Sequence, residues 1–428
     1  MVMMKLRGAL FLFFLVFATR FGYFLHARPY RSEADGSYGR MYEMEASADR
    51  IAREGRMADA FGEGSGPSAH VAPAYAFYLA ALDRLAGLDV GRFRFASGLG
   101  SILATSLFAA LLPAFARRAG LRPGVGLAAG LMVACSPTGL WLEIRGDWET
   151  AFLPPALVGL AWMLMALQDR AWADDRLAAL AGVSFGAGGL LSPVVLLAGL
   201  AGLAGQAIDP RARTGQIIRA GAIILVACGL TVAPWVYRNY RQFSAFVPLR
   251  DNVGIELAVG NNPRSDGMTF GPGGATHPLS TGAELARLRA MGEVPYNKAK
   301  LAEAKAWIAA HPSDFARLSA FRLAQFWFPR PGPGMIGPMP LLPAWAQALA
   351  IGTATLLAFA GLARLFATGH PYRMVFLAML VAPCLPYVVT HVSYRYRYPI
   401  NGFVYLLCCE CLARLIAAGK VSAPGPDA

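Results

Sequence analysis

Long apolar segments alternate with shorter polar ones along most of this chain. An α-helix needs about 20 mostly apolar residues to cross a hydrocarbon core of about 30 Å, and these segments have that length. Their composition is apolar all round rather than on one face, which is typical of helices surrounded by lipid or by other helices. The segments are residues 9–25, 95–115, 124–142, 151–167, 217–237, 342–366, 374–391 and 399–416.

Residues 177–207 form a longer apolar run. As one helix this run would extend about 46 Å, which overshoots the hydrocarbon core. The pair Ser192-Pro193 lies near its middle, so we predict two short helices that turn at the outer face. The whole pattern predicts an all-α polytopic membrane protein with about ten transmembrane helices.

The polar stretches divide the chain into three parts. Residues 1–237 form a transmembrane core that includes a first outer loop at 26–94, which carries amphipathic helices. Residues 238–341 form a small, α-rich periplasmic segment, in which we expect a short strand and turn over Asp251–Asn262. Residues 342–428 contain the C-terminal transmembrane helices.

Composition agrees with a membrane protein and sets its orientation. The chain has 428 residues, of which 56% are hydrophobic and only 15% charged, against about 25% charged in soluble domains. The net charge of +13 fits Arg clusters at cytoplasmic loop ends, such as Arg117, Arg118 and Arg122. These clusters place both termini in the cytoplasm. No basic run interleaved with aromatics occurs in a soluble segment, so nucleic acid is not expected as a partner.

The first outer loop is rich in acidic residues, and Glu43 is distinctive among them. Tyr42 and Glu43 begin a short amphipathic pattern that ends at Gly55. A carboxylate in the first turn is favoured by the helix dipole in its ionised form, which suits a general base or a metal ligand. For most of the other acids of this loop, Asp59 and Glu63 included, we prefer solvated surface positions.

A second outer loop carries Glu143, Asp147 and Glu149. Acids from two loops could bind a divalent cation through oxygen ligands, with Glu43, Asp147 and Glu149 as the candidate set. Alternatively they could orient an acceptor hydroxyl, or Arg145 could simply pair with one of them. No cofactor is required by these patterns, and a divalent cation is allowed.

Arginines also occur on the outer side, where the positive-inside rule predicts few. The run Ser393-Tyr-Arg-Tyr-Arg-Tyr-Pro combines cations with phenol groups at the membrane surface. Arg binds phosphate oxygens bidentately, so a lipid-linked phosphate is the natural target. The alternative is an aromatic belt with snorkelling arginines. The candidate phosphate-binding residues are Arg238, Arg241, Arg395 and Arg397, and Tyr394 and Tyr396 are candidate sugar-binding residues.

Other polar residues are weaker candidates. Asn261 and Asn262 could meet sugar hydroxyls, although building a turn is the simpler role for them. His70 and His277 are lone histidines with no partner at metal spacing, and we expect both to be loop or site-wall residues. His70 could also line the pocket, and Tyr42 is a candidate sugar-binding residue. No nucleotide-binding or hydrolase motif is present.

Several of these stretches resemble bacterial glycosyltransferases of the C type. Tyr-Glu-Met at 42–44, Gly-Pro-Ser-Ala-His at 66–70, Trp-Glu-Thr at 148–150, the Asp251–Asn262 segment and the Tyr-Arg-Tyr-Arg-Tyr run carry the resemblance. Through these stretches the chain is similar to dolichyl-phosphate-mannose–protein mannosyltransferases and to lipid A aminoarabinose transferase. The resemblance implies a catalytic acid in the first outer loop, where Glu43 matches best and Asp35 is the reserve.

These observations together predict a glycosyltransferase of the bacterial inner membrane. It would transfer a sugar from a polyprenyl-phosphate donor to a lipid, glycan or protein acceptor at the periplasmic face, with inversion at the anomeric carbon. The alternatives are a transporter or flippase of lipid-linked sugars and a non-catalytic scaffold. A transporter would place charges near the bilayer midplane, whereas here they gather at the outer surface.

Overall fold

The computed structural model describes residues 2–31, 42–207, 214–269, 271–332, 335 and 342–421. Across these ranges the chain is helical, and its extended contacts are isolated bridges such as Ala58 with Pro67 and Met268 with Val392. This confirms the all-α fold class. The candidate catalytic residue Asp35 lies outside the described residues.

The described residues up to position 243 include ten α-helices. They are α1 (Val2–Ala27), α2 (Glu43–Glu54), α3 (Pro73–Leu85), α4 (Val90–Arg118), α5 (Val125–Cys135), α6 (Leu140–Arg145), α7 (Leu153–Asp169), α8 (Asp175–Leu191), α9 (Pro193–Ala207) and α10 (Thr214–Phe243).

The described residues from position 253 onward include nine more α-helices. They are α11 (Val253–Gly260), α12 (Gly282–Met291), α13 (Glu293–Ala310), α14 (Pro312–Trp327), α15 (Ala344–Ala367), α16 (Arg373–Val381), α17 (Leu385–Val389), α18 (Tyr394–Arg397) and α19 (Asn401–Val421).

Six of the described helical segments are long and apolar enough to cross a membrane. Three shorter apolar helical segments accompany them: Val125–Cys135, Pro193–Ala207 and Arg373–Val389. Large apolar side chains such as Phe14, Leu230 and Leu356 are exposed on the outer faces of the long helices, as expected of surfaces that meet lipid. A polytopic membrane fold is therefore confirmed, while the expectation of about ten spans stays a prediction.

The break predicted at Ser192 is confirmed. Helix α8 ends at Leu191 and α9 begins at Pro193, and Ser192 between them has extended backbone. Proline cannot donate the hydrogen bond that would continue α8, whereas it fits the first turn of a new helix. The two helices then pack against each other.

The first outer loop folds as two packed helices. Helix α2 buries Met44, Ala48 and Ile51 against α3, and it ends at Gly55, whose φ of 73° is left-handed. This arrangement agrees with the amphipathic pattern read from the sequence. It fixes the first turn of α2, where Glu43 lies, against the membrane helices.

The strand expected over Asp251–Asn262 is wrong, because residues 253–260 form helix α11. The Asn297 side-chain oxygen accepts the Ile255 backbone N–H at 3.0 Å, which satisfies a free donor of the first turn. At the other end, a Cβ on Gly260 would lie 1.6 Å from the Thr390 carbonyl oxygen. Helix α11 therefore packs so closely against Thr390 that no side chain would fit at position 260. The described chain also supplies no neighbouring strand with which this segment could form a ladder.

Candidate functional site

Glu43 is the first residue of α2 and is buried, with 7% of its surface exposed. The preceding residue, Tyr42, has extended backbone and leads into the helix. Burial of α2 against α3 leaves Glu43 no freedom to extend into solvent, as an ordinary loop carboxylate would. The acid singled out in the sequence therefore lies inside the molecule.

Two histidines share the surroundings of Glu43. His277 Nε2 lies 3.3 Å from Glu43 Oε1, and one ligating atom from each of Glu43, His70 and His277 lies within 4.8 Å of the others. The two histidines are far apart in sequence and have no partner at metal spacing there. Tertiary packing brings them together, with Phe61 against both rings.

The second outer loop contributes Trp148 and Glu149 to the same region. Glu149 is buried, and its Oε2 has no hydrogen-bond partner among the described residues. Asp147 instead pairs with Arg145 at 2.5 Å, which is the local pairing considered from the sequence. Burial raises the pKa of Asp147, and the charge of Arg145 opposes this rise. Glu149 is thus the acid of this loop that is free of a salt bridge.

Glu143 lies elsewhere. Its carboxylate accepts hydrogen bonds from Arg20 at 2.7 Å and from the Tyr398 hydroxyl at 2.7 Å, and both partners are buried. It is therefore a structural residue that joins α6 to α1.

Contacts between aromatic and cationic side chains connect the first outer loop with the segment around Arg395. The Tyr42 and Trp148 ring centroids are 5.9 Å apart. The Arg395 guanidinium lies 4.1 Å from the Trp148 centroid and 5.2 Å from that of Tyr396. The Tyr396 ring in turn lies 5.6 Å from His391. The Arg395 guanidinium thus lies over two aromatic rings. It forms no salt bridge with a carboxylate in the described part of the chain.

Arg397 and Tyr394 face the other side of α18. Arg397 is 1% exposed and donates to the Asn401 side-chain oxygen at 2.6 Å and to the Thr355 hydroxyl at 2.8 Å. The Tyr394 hydroxyl accepts from Asn401 at 3.1 Å. The structure therefore separates Arg397 from Arg395, because side chains two residues apart on a helix point to nearly opposite sides and meet different neighbours.

The two arginines of α10 are also apart from Arg395. Arg238 donates to the carbonyl oxygens of Ser68 and Met57 at 2.8 and 2.7 Å, so it holds the backbone of the first outer loop. Arg241 contacts the Tyr237 hydroxyl at 3.2 Å near the surface. Among the described residues, neither side chain contacts Trp148 or Tyr396, the two rings against Arg395.

A carboxylate and histidine pair, Glu256 with His391, was not identified from the sequence. Glu256 Oε2 lies 2.6 Å from His391 Nε2, and Asn252 donates to the other carboxylate oxygen at 2.8 Å. Burial raises the pKa of Glu256, but the hydrogen bond and charge of His391, aided by Arg250, outweigh it and hold that pKa well below its usual value. The Thr269 hydroxyl lies 2.8 Å from the remaining ring nitrogen of His391.

The pair lies between Arg395 and the histidines near Glu43. Arg250 donates to the His70 carbonyl at 2.9 Å, and its charge acts on Glu256. The rings of His70 and His277 are 6.3 Å apart. Successive contacts therefore link Glu43, the Glu256–His391 pair and Arg395.

Asn261 and Asn262 build local structure. Asn261 donates to the carbonyls of Leu257 and Val389, both at 2.8 Å, and Asn262 donates to Ala258 at 2.8 Å. These bonds satisfy carbonyl groups at the end of α11. The side-chain amides are occupied in the way that the turn-building interpretation expects.

A buried arginine, Arg322, also holds the end of α11. Arg322 is fully buried and donates to the Gly260 carbonyl and to the Asn261 side-chain oxygen. Burial lowers its pKa to about 10. No sequence pattern marks it, because its partners are backbone oxygens and neutral groups in another segment.

Comparisons with known proteins identify the fold. No family model and no curated protein matches the chain. Among solved structures, it is similar to the oligosaccharyltransferase AglB from Archaeoglobus fulgidus in complex with an inhibitory peptide and a dolichol-phosphate, with 12% identity, 99% of this chain covered, 52% of that chain covered and a TM-score of 0.59.

Two further structures of the A. fulgidus oligosaccharyltransferase agree. The form tethered to an acceptor peptide with the NVT sequon has 12% identity, 97% and 50% coverage of this chain and that chain, and a TM-score of 0.60. The apo form has 12% identity, 97% and 51% coverage, and a TM-score of 0.58. The chain spans about half the length of these structures, and at this identity the likeness shows the fold alone. This shared fold agrees with the resemblance noted in the sequence.

Proposed function

We propose that this chain is a membrane glycosyltransferase that moves a sugar from a polyprenyl-phosphate donor to an acceptor hydroxyl or amide. We place the reaction at the periplasmic face of a bacterial inner membrane. Structures with the same fold were determined with an inhibitory peptide and a dolichol-phosphate, and with a tethered acceptor peptide, which supports a lipid-linked donor.

The observation that carries this proposal is the position of Arg395. It is held on Trp148 and Tyr396 without a carboxylate partner in the described chain, in a region where Glu43 and Glu149 are also buried. A cation held on ring faces keeps its N–H donors available for a phosphate. Burial strengthens such an interaction, since water competes less for the charges.

In the proposed reaction the acceptor atom attacks the anomeric carbon from the side opposite the phosphate. Glu43 takes the acceptor's proton as the new glycosidic bond forms. The bond between the anomeric carbon and the phosphate oxygen breaks, and Arg395 stabilises the negative charge that stays on the polyprenyl phosphate. One displacement of this kind inverts the anomeric carbon.

The remaining side chains of the region have supporting roles in this proposal. Tyr42, Tyr396 and Glu149 would contact the sugar, and His70 would form part of the wall around it. Asn261 and Asn262 keep α11 in place. Arg397, Arg238 and Arg241 act through the structure rather than on the phosphate.

The test is transfer by the purified protein in detergent or nanodiscs. Radiolabelled polyprenyl-phosphate sugars are supplied one at a time, and release of polyprenyl phosphate is measured together with labelled product. A comparison of cell-envelope glycolipids and glycoproteins by mass spectrometry, with and without the chain, identifies the acceptor. Movement of an intact lipid-linked sugar across vesicles, without release of polyprenyl phosphate, would instead establish a flippase.

A further inference from the structure

The carboxylate of Glu256 lies deep in the protein, where the charges of His391, Arg250 and His70 act on it. The Glu256 side chain is nevertheless 25% exposed, whereas that of its partner His391 is only 4% exposed. A side chain that lies deep in the protein and still has a free surface of this size lines an internal space. Glu256 is therefore the accessible member of the Glu256–His391 pair.

Three residues around Arg395 combine depth with partial exposure in the same way, namely Tyr387, Arg395 and Tyr396. The rings of Tyr387 and Tyr396 are stacked with their centroids 4.0 Å apart, and the Arg395 guanidinium lies 5.2 Å from the Tyr396 centroid. The charge of Glu256 acts on Tyr396, whose ring lies 5.6 Å from that of His391. These contacts indicate that Glu256, Tyr387, Arg395 and Tyr396 border one space, which we call the inner cleft.

The carboxylate of Glu256 is held in a fixed position. Asn252 donates to one of its oxygens at 2.8 Å, and His391 Nε2 donates to the other at 2.6 Å, since a carboxylate can only accept. The Thr269 hydroxyl contacts the second ring nitrogen of His391 at 2.8 Å and donates to the Val392 carbonyl at 3.1 Å. Each carboxylate oxygen has two acceptor positions, so these two bonds leave a second position on each oxygen.

The electrostatics of Glu256 suit a hydrogen-bond acceptor better than a base. Burial raises the pKa of Glu256, but the hydrogen bond and charge of His391 hold that pKa well below its usual value. So weak a base is poorly matched to proton abstraction near neutral pH. An ionised carboxylate is, however, a strong acceptor for a neutral O–H donor, and hydroxyls are the donors that a sugar presents.

We propose that Glu256 is a sugar-binding residue that determines which donor the protein selects. Its carboxylate accepts a hydrogen bond from one hydroxyl of the sugar, while Arg395 holds the phosphate of the same donor in the inner cleft. His391 and Thr269 are positioning residues, because they orient the carboxylate from behind. This inference rests on the proposed function and adds to it a residue that decides sugar specificity.

The competing explanation is a purely structural pair that joins α11 to the segment after α17. It accounts for the burial of His391 but not for the free surface of Glu256. It also makes a different prediction, since loss of a structural pair lowers stability without changing which sugar hydroxyl matters. The test therefore compares donors that differ by a single hydroxyl.

The probes are polyprenyl phosphates that carry glucose, mannose, galactose or arabinose, followed by every monodeoxy form of the donor that binds most tightly. Binding to the full chain in nanodiscs is measured with radiolabelled donor and by competition. The variant is Glu256→Gln, which keeps the size of the side chain and an oxygen for His391. Glu303→Gln is the matched control, because Glu303 also pairs with cations, Arg287 and Lys300, but is 45% exposed on α13.

In the wild type and in Glu303→Gln, removal of one particular hydroxyl should weaken binding about tenfold to a hundredfold, as expected for a hydrogen bond to a charged group. In Glu256→Gln the intact donor and that deoxy donor should bind nearly equally, with a melting temperature close to that of the wild type. If Glu256→Gln does not fold, Glu256→Asp decides. It keeps the charge beside His391 and withdraws the carboxylate by one methylene, so the dependence on that hydroxyl should again be lost.

Two results would overturn this inference alone: a wild-type chain that binds every monodeoxy donor as tightly as the intact one, and a hydroxyl dependence that persists in the Glu256 variant. A dependence that is lost equally in Glu303→Gln would indicate general loosening and would overturn it as well. Hydroxyl-dependent binding without any sugar transfer would support the role of Glu256 and count against the proposed function alone. A chain that binds none of the four donors would overturn both.

Discussion

Arg20 and Glu143, on different helices, form a buried ion pair with 2.7 Å between Arg20 Nε and Glu143 Oε2. Arg20 also donates to the carbonyls of Ala134 and Val133 at 2.5 and 2.6 Å, so the ends of α1, α5 and α6 meet at its guanidinium. The second oxygen of Glu143 accepts from Tyr398. This network fixes the start of the second outer loop, and hence the loop residues Trp148 and Glu149.

We expect Glu143→Gln to destabilise the protein strongly. The change leaves the Arg20 charge buried without its partner, which typically costs about 3–5 kcal/mol. The measurement is the melting temperature in detergent. Asp314→Asn is the control, since it breaks an exposed pair with Arg317 that should contribute about 1 kcal/mol or less. Equal melting temperatures for the two variants would contradict the structural role.

We expect Glu43→Gln to lose activity while it remains folded. Removal of a general base typically slows turnover by about 10² to 10⁴, and Gln preserves the size of the side chain. The assay is sugar transfer from polyprenyl-phosphate donors, with a melting curve for each variant. Glu63→Gln is the control, because that side chain is 92% exposed. Normal turnover in Glu43→Gln together with an inactive Asp35→Asn would move the role to Asp35.

Lysine substitutions at Arg395 and Arg397 should have different effects. Arg395→Lys keeps the charge but loses the planar fork that matches a phosphate, so donor affinity should fall by about tenfold or more. Arg397→Lys cannot reach both Thr355 and Asn401 and should lower stability by about 1–3 kcal/mol. Donor titrations and melting curves separate the two effects. Unchanged donor affinity in Arg395→Lys would favour an aromatic belt at the membrane surface.

The free energy of unfolding should fall at alkaline pH, because the buried Glu293 carboxyl then loses its proton. Burial raises its pKa to about 8, although the hydrogen bonds from Ser68 and Ala69 partly oppose the rise. Between the unfolded pKa near 4.5 and the folded value, the native state binds more protons, so stability falls as pH rises through this window. The maximum slope is about 1.4 kcal/mol per pH unit.

The melting temperature measured from pH 5 to pH 9 tests this prediction. Glu293→Gln removes the titrating group and keeps a side-chain oxygen for the Ala69 N–H. Its melting temperature should change less across the window than that of the wild type. A wild-type curve that rises from pH 6 to pH 8.5 would contradict the raised pKa.

Local signals in the sequence predicted the local structure well. Proline after Ser192 marked the break between α8 and α9, and Gly55 marked the end of α2. Both depend on backbone geometry within a few residues. Helix α11 was missed because its stability comes from Asn297 and from the close approach of Gly260 to Thr390, which are contacts between distant segments.

The candidate site was only partly predictable for the same reason. Glu43 could be recognised because an acid at the start of an amphipathic helix is a local pattern. The partnership of Glu43 with His70 and His277 could not, since none of these residues lies at metal spacing from another. The separation of Arg397 from Arg395 likewise depends on which neighbours α18 meets.

The position of Arg395 near the end of the chain has a consequence for biogenesis. Ribosomes add about 5–20 residues per second, so Glu43 leaves the ribosome tens of seconds before Arg395 is made. During that interval the first outer loop is complete, but the cation that stands on Trp148 is missing. Under the proposed function, a nascent chain therefore cannot bind the lipid phosphate at Arg395 before α18 has been inserted, and a chain arrested before that step would lack transferase activity.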